Sequence, residues 1–189
     1  MQILEAFAMM NFLDPNDNII SGEGVIHSTK LFKDIKQLYD DPDHSLDDQV
    51  VYDVYSYTKG DIYPGNLNWG MTIMHPIYSN GQCNFTRGHY HLDRDCVEFY
   101  IGKSGEGLLL LMNEAGKCWA EKVVPGSIHH IDGKLAHRLI NTGDSDFAVI
   151  ACWPSNAGHD YDAVDKQPFG VRVYKNNNEI VFKGELENE

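Results

Sequence analysis

An all-β fold of the jelly-roll-like barrel type, preceded by a short helical elaboration, is the class this 189-residue sequence predicts. Three observations carry the prediction. From residue 50 onward, apolar residues recur with period two or gather in short runs rich in β-branched and aromatic side chains. Turn-forming clusters separate these runs at intervals close to hairpin spacing. The alternation of strands with long helical patterns that marks a parallel sheet is missing from the sequence.

Taken in order, the first stretch is "MQILEAFAMMNFLDPND". It is apolar, but it carries Glu5, has no basic leading segment and offers no clear small-residue cleavage site, so it does not read as a secretory signal. The expected location is cytoplasmic. "STKLFKDIKQLYDD" then predicts one helix, with Ser28 as N-cap, apolar residues at Leu31, Ile35 and Leu38, and a stop at Pro42. Strands are expected at "VVYDVYSYT", "NWGMTIMHPIY", "CVEFYIG", "GLLLLMN", "CWAEKVV", "HRLINTG" and "DFAVIACWP". Between them lie the turn signals "NEAGK", "VPGS" and "NTGDSD". The division that follows is an N-terminal elaboration over 1–48, a barrel over 49–183 and a frayed acidic tail over 184–189.

Composition narrows the function classes. A formal charge of −13, with 15 basic residues that never form a run, repels phosphate backbones and excludes duplex nucleic acid as an expected partner. The longest apolar run, Leu108 to Met112, is far too short for a membrane helix. Cys83, Cys96, Cys118 and Cys152 are widely spaced and lack any C-x-x-C pair, so reduced, mostly buried thiols are expected.

The chemistry-bearing stretch is "TRGHYHLDRDCVEFY". Residues two apart on a strand share a face, so His89 and His91 present two imidazoles to one side. Glu98 opens the next strand-like run. Downstream, "PGSIHHIDGKLAHRLINTGD" offers His129, His130 and His137; His137 starts a strand after a turn, whereas adjacent strand residues point oppositely, so at most one of the other pair faces the same way. Three imidazoles and a carboxylate suit iron, manganese, nickel, cobalt or zinc better than magnesium or calcium, and leave positions open for substrate.

At these residues the sequence resembles the cupins. "HYHLDRDCVEFYIGKSG" keeps both histidines, the glutamate and Gly105 of their first motif, and "GSIHHIDGKLAHRLIN" keeps Gly126, His137 and Asn141 of the second. Cys83 stands in place of the leading glycine, and Asp132 and Lys134 in place of a proline and glycine. More narrowly, "FTRGHYHLDRDCVEFY", "AHRLINTGD", "AGHDYDAV" and "FGVRVYKNNNEIVF", in that order, are similar to the archaeal-type glucose-6-phosphate isomerases. That resemblance implies a cupin double-stranded β-helix, usually a homodimer, that interconverts glucose 6-phosphate and fructose 6-phosphate with one divalent transition metal per chain, Fe2+ first. The ligands implied are His89, His91, Glu98 and His137. Thr72, Thr86, Gly88, Tyr100, His159 and Tyr161 fall on substrate-contacting positions; by their chemistry Glu98, as a proton shuttle, and His159, assisting ring opening, are the catalytic candidates.

Physical chemistry agrees with those roles. Thr86 donates a hydroxyl hydrogen bond, Gly88 admits a close backbone approach, Arg87 offers a charge-assisted bond to phosphate, and imidazole titrates near neutrality. Trp153 replaces a tyrosine common in that family. Two other readings are carried forward: an iron-dependent cupin oxygenase on a small organic substrate, and a non-catalytic sugar- or metal-binding cupin. Tyr52, Tyr55, Tyr57 and the three tryptophans are expected to fill the core or an interface, and His27, His44 and His75 to be surface or internally satisfied histidines.

Overall fold

The computed structural model describes residues 11–187 apart from 15, 59, 60 and 178. Expectations that concern residues 1–10, and the last two residues of the acidic tail, lie outside the described residues. The strands in chain order are β1 (Phe12–Leu13), β2 (Ile20–Ser21), β3 (Val25–Leu31), β4 (Val50–Tyr57), β5 (Leu67–Met74), β6 (Tyr78–Ser79), β7 (Gln82–Cys83), β8 (Glu98–Ser104), β9 (Gly107–Met112), β10 (Cys118–Val123), β11 (Ile128–Ile131), β12 (Ala136–Asn141) and β13 (Phe147–Pro154). Helix α1 (Tyr161–Lys166) follows, then β14 (Arg172–Asn176) and β15 (Glu179–Lys183).

All ladders between these strands are antiparallel. The large sheet has the order β11-β8-β13-β5-β4-β3 and the smaller one β10-β9-β12, while β15-β14-β7-β6 form a third. From β8 to β13 the chain crosses repeatedly between the large sheet and the smaller one, with β9 and β10 a hairpin within the smaller, which is the jelly-roll wiring anticipated from the strand pattern. Val51, Met74, Tyr100 and Phe147 from the large sheet and Leu109, Leu111, Val123 and Leu139 from the smaller belong to one buried cluster. The two sheets therefore share a single core.

The predicted helix over 28–41 is not there. Ser28 to Leu31 instead complete β3, paired with β4 from Ser28↔Val54 to Leu31↔Val50. The chain then makes two short 3₁₀ turns, Phe32–Asp34 and Lys36–Leu38, bonded from Ile35 N to Phe32 O and from Leu38 N to Ile35 O. The apolar spacing was real: Phe32, Ile35 and Tyr39 are buried. The same spacing suits 3₁₀ turns, and the open edge of β4 satisfies the backbone of the preceding β-branched run "VIHST" better than a helix starting at Ser28 would. Segment 25–31 thus extends the large sheet. The α-helix that does form, α1, lies in "AGHDYDAV", where Asp160 caps it by accepting from Ala163 N at 3.0 Å.

Candidate metal centre and substrate cavity

The free edge of β12 is covered by residues 84–91. Thr86 N donates to Leu139 O at 2.9 Å, and His89 and His137 exchange backbone bonds of 3.3 and 3.0 Å. Directly opposed strand residues carry neighbouring side chains, so the two imidazoles meet with ring centroids 4.4 Å apart. His91 lies two residues further along. Glu98 reaches the same point from the start of β8 in the large sheet. One ligand atom from each of His89, His91, Glu98 and His137 falls within 4.8 Å of all the others.

Hydrogen bonding prepares this set for a cation. His91 Nδ1 donates to Cys96 O at 2.7 Å and His137 Nδ1 to Leu135 O at 3.3 Å, which directs both Nε2 atoms toward Glu98. His91 Nε2 lies 3.1 Å from Glu98 Oε2. His137 Nε2 is 3.0 Å from the same oxygen but out of line for a hydrogen bond, and His89 Nε2 is also buried without a partner. A buried nitrogen left unbonded costs roughly 1–3 kcal/mol. Two of them beside one carboxylate fit a divalent metal, to which both would be ligands.

The charges fit as well. Burial alone would raise the Glu98 pKa, but the adjacent imidazoles of His137 and His91 pull it down to about 2, so the carboxylate is ionised. Burial pushes His89 well below the ordinary imidazole value, helped by His137, His159 and His91. A neutral ring is what a metal ligand requires.

A cavity of about 420 Å³ opens above this cluster. Its lining includes His89, Glu98 and His137 together with every substrate-contacting position anticipated from the sequence: Thr72, Thr86, Gly88, Tyr100, His159 and Tyr161. His91 stands behind them, buried. Gly88 has φ +78°, and a Cβ there would lie 2.9 Å from the Phe169 ring and 3.1 Å from Arg138. Only glycine fits. Thr86 Oγ1 accepts from Leu139 N at 3.0 Å and keeps its own proton to donate. The "AGHDY" segment is tied to "HYH" by Asp160 N to Tyr90 O at 2.7 Å and to the loop that follows by the ion pair of Arg94 with Asp160 at 2.7 Å. His159 consequently lies against His89, ring centroids 4.3 Å apart, with Tyr161 stacked at 5.7 Å. Burial lowers the His159 pKa and raises those of Tyr100 and Tyr161. A neutral imidazole and two neutral phenols thus face the cavity.

Other wall residues were not anticipated as such. Tyr52 and Trp153, expected as packing, line the cavity, and Ser28, Thr29 and Lys30 reach it from β3. The sequence signal for that strand is the β-branched run "VIHST". Tyr57 does pack, stacked on Trp69 at 5.1 Å, and Tyr55 stacks on His27 at 4.4 Å. Arg87 lines the cavity with its guanidinium 4.6 Å over the Tyr161 ring, held by Asp165 at 2.6 Å. His129 turns to Glu121 and Ser127, and His130 is exposed. His75 is bonded to Asp53 and Asp146. The four cysteines are free thiols, three of them buried.

A jelly-roll-like sandwich with three imidazoles and one carboxylate gathered at the floor of its cavity defines a cupin. The model of the glucose-6-phosphate isomerase family matches residues 29–188, most of the chain, and the chain belongs to that family. A glucose-6-phosphate isomerase of Pyrococcus horikoshii is 35% identical over 134 residues, covering 71% of this chain and 70% of that protein. One from Thermococcus litoralis is 32% identical over 171 residues, covering 85% and 88%. Among solved structures, an oxalate decarboxylase of Bacillus subtilis aligns with TM-score 0.45 and 13% identity over 57% of this chain and 26% of that one.

Proposed function

We propose that the chain is a metal-dependent aldose-ketose isomerase that interconverts glucose 6-phosphate and fructose 6-phosphate. The observation that carries this reading is the convergence, in one cavity, of the His89, His91, Glu98 and His137 cluster with the Thr86 to Gly88 segment. His89, His91, Glu98 and His137 hold one divalent transition metal, Fe2+ first, with Mn2+, Ni2+, Co2+ and Zn2+ as alternatives. When bound, such an ion supplies a Lewis acid that stabilises negative charge on the sugar oxygens.

The chain's own side chains do the rest. The Thr72 and Thr86 hydroxyls, the Gly88 backbone and the Tyr100 phenol hold the phosphate, with Lys30 and Arg87 as the cations on the cavity wall. Anchoring that end leaves carbons one and two at the floor. His159, a neutral imidazole, accepts the anomeric hydroxyl proton as the ring C–O bond breaks and passes it to the ring oxygen, and Tyr161 donates a hydrogen bond to the open chain. Glu98 is the one carboxylate among the described residues of the lining. It takes the proton from one carbon of the pair and returns it to the other, so that nothing is consumed.

A homodimer is part of the proposal. Phe99 and Ile128 are exposed, and the register of β8 with β11 and β13 sets them beside Ile101 and Ile150 on the outer face of the large sheet, an apolar strip suited to a second copy. The proposed site of action is the cytoplasm; among the described residues no helix is long and apolar enough to cross a membrane. The test is a coupled assay with fructose 6-phosphate on protein reconstituted separately with iron, manganese, nickel and zinc. Turnover with at least one metal and none with the chelated protein is expected. Run in D2O, the product should carry carbon-bound deuterium; product without it would remove Glu98 as the proton carrier, and absence of turnover with every metal would end the isomerase reading.

A further inference from the structure

β12 has a cavity on each side. His137 and Leu139 face the catalytic one; Arg138, between them, points the opposite way, as strand alternation requires. There a second cavity of about 410 Å³ lies between β12, the turn around Tyr39 and helix α1, and Arg138, Arg87 and Arg172 all line it.

Arg138 is 5% exposed and belongs to the buried interior. Among the described residues it has no carboxylate within ion-pair distance. Nη2 donates to the Arg87 carbonyl at 2.5 Å, while Nε is buried with no partner at all. The rings of Phe169 and Phe85, 4.3 and 4.7 Å from the guanidinium carbon, flank the group without neutralising it. The cavity also holds two carboxylates, but both are taken: Asp165 pairs with Arg87 at 2.6 Å and Asp40 with Arg172 at 3.2 Å. The guanidinium left without a counter-charge is the buried one. A buried, unpaired charge is among the most costly features a fold can keep, and a cavity at its tip is where a compensating anion would sit.

We propose that this second cavity is a binding site for a small phosphoryl-bearing anion, with Arg138 as its fixed charge. Arg87 and Arg172 add donors from the walls, so a tetrahedral dianion can be contacted from three directions, which a planar group served by one fork cannot. Occupancy is felt in the catalytic cavity. Arg138 supports the Arg87 carbonyl and packs against Gly88, and Arg87 lines both cavities, so an anion here adjusts the segment assigned above to the sugar phosphate. That coupling rests on the proposed function; the binding site does not.

The experiment is calorimetric titration of inorganic phosphate into the metal-loaded protein, at ionic strength held constant with sodium chloride, for wild type, Arg138→Met and Asp40→Asn. Asp40 lines only the second cavity. Removing its negative charge should tighten phosphate by about threefold or more, and Arg138→Met should weaken it at least tenfold. Because Asp40 is at the rim, its variant tests the site even if Arg138→Met fails to fold. Phosphate that binds wild type and Asp40→Asn alike lies in the catalytic cavity only and overturns the proposal, as does the absence of binding to all folded proteins. No sugar and no turnover enter the measurement, so it stands apart from the isomerase assay.

Discussion

Glu98 shows how much a single residue here depends on its neighbours. Burial works against its charge, yet the imidazoles of His137 and His91 keep it ionised with a pKa of about 2. Remove one imidazole and the cluster loses both a ligand and the balance of charge. His91→Ala or His137→Ala is therefore expected to lower bound metal from about one ion per chain to near zero, as read by elemental analysis of dialysed protein. Undiminished metal would show that the ligand set is wrong. Thr86 acts at the other end of the substrate. A hydroxyl lost from a charge-assisted bond costs about 1.5–3 kcal/mol, so Thr86→Val should raise KM for fructose 6-phosphate roughly tenfold or more with metal content unchanged. Unaltered kinetics would place the phosphate elsewhere.

At the scale of elements, β12 and residues 84–91 form the plank on which the site is built, and their pairing rather than any single turn sets the separation of His89 and His137. In the large sheet, side chains tie together the two strands that flank β5. His75 spans from Asp53 on β4, at 3.0 Å, to Asp146 just before β13, at 2.9 Å. Burial would lower its pKa, but the two carboxylates outweigh it and raise the value above 6.5. A raised folded-state pKa means that the stabilisation is complete below about pH 6.5 and is lost as the pH climbs through the raised value. Thermal melts of wild type and His75→Gln should accordingly differ most near pH 6 and converge toward pH 9. A gap that widens with rising pH would contradict the ion-pair account.

For the whole molecule, the relevant link is between the ion and the fold, because His89, His91 and His137 come from the smaller sheet and its flanking segment and Glu98 from the large one. A metal that binds all four joins the two layers. Binding at 100 times Kd adds about 2.7 kcal/mol, which for a chain of this size raises Tm by roughly 5–10 °C. Calorimetry of chelated protein with and without added Fe2+ or Mn2+ under anaerobic conditions checks it. An unchanged Tm would mean that the ion does not bind the folded chain at that concentration. The chain's charge of −13 belongs to the same scale: cations at the cavity, Lys30 and Arg87, have to act against an acidic surface, so substrate binding depends on local donors and not on long-range steering.

The local patterns by themselves determined the all-β class, the strands β4, β5, β8, β9, β10, β12 and β13 and the identity of the four clustered residues, whereas β6, β7 and β11 are too short to show a pattern of their own. Each rests on information within a few positions: alternation exposes one face, and H-x-H places two imidazoles on it. Segment 28–41 shows the limit of such patterns. Its apolar residues satisfy a helical period, and only the presence of β4, more than ten residues ahead, supplies backbone partners that make the extended form win. Tyr52 and Trp153 were legible as large apolar residues but not as cavity wall, since a wall is defined by what the facing sheet leaves empty. Arg138 is the clearest case. In sequence it is one basic residue after a histidine; the tertiary structure decided that it is buried, unpaired and turned into a second cavity, because burial and pairing are properties of the elements packed around a side chain and are not written at its own position.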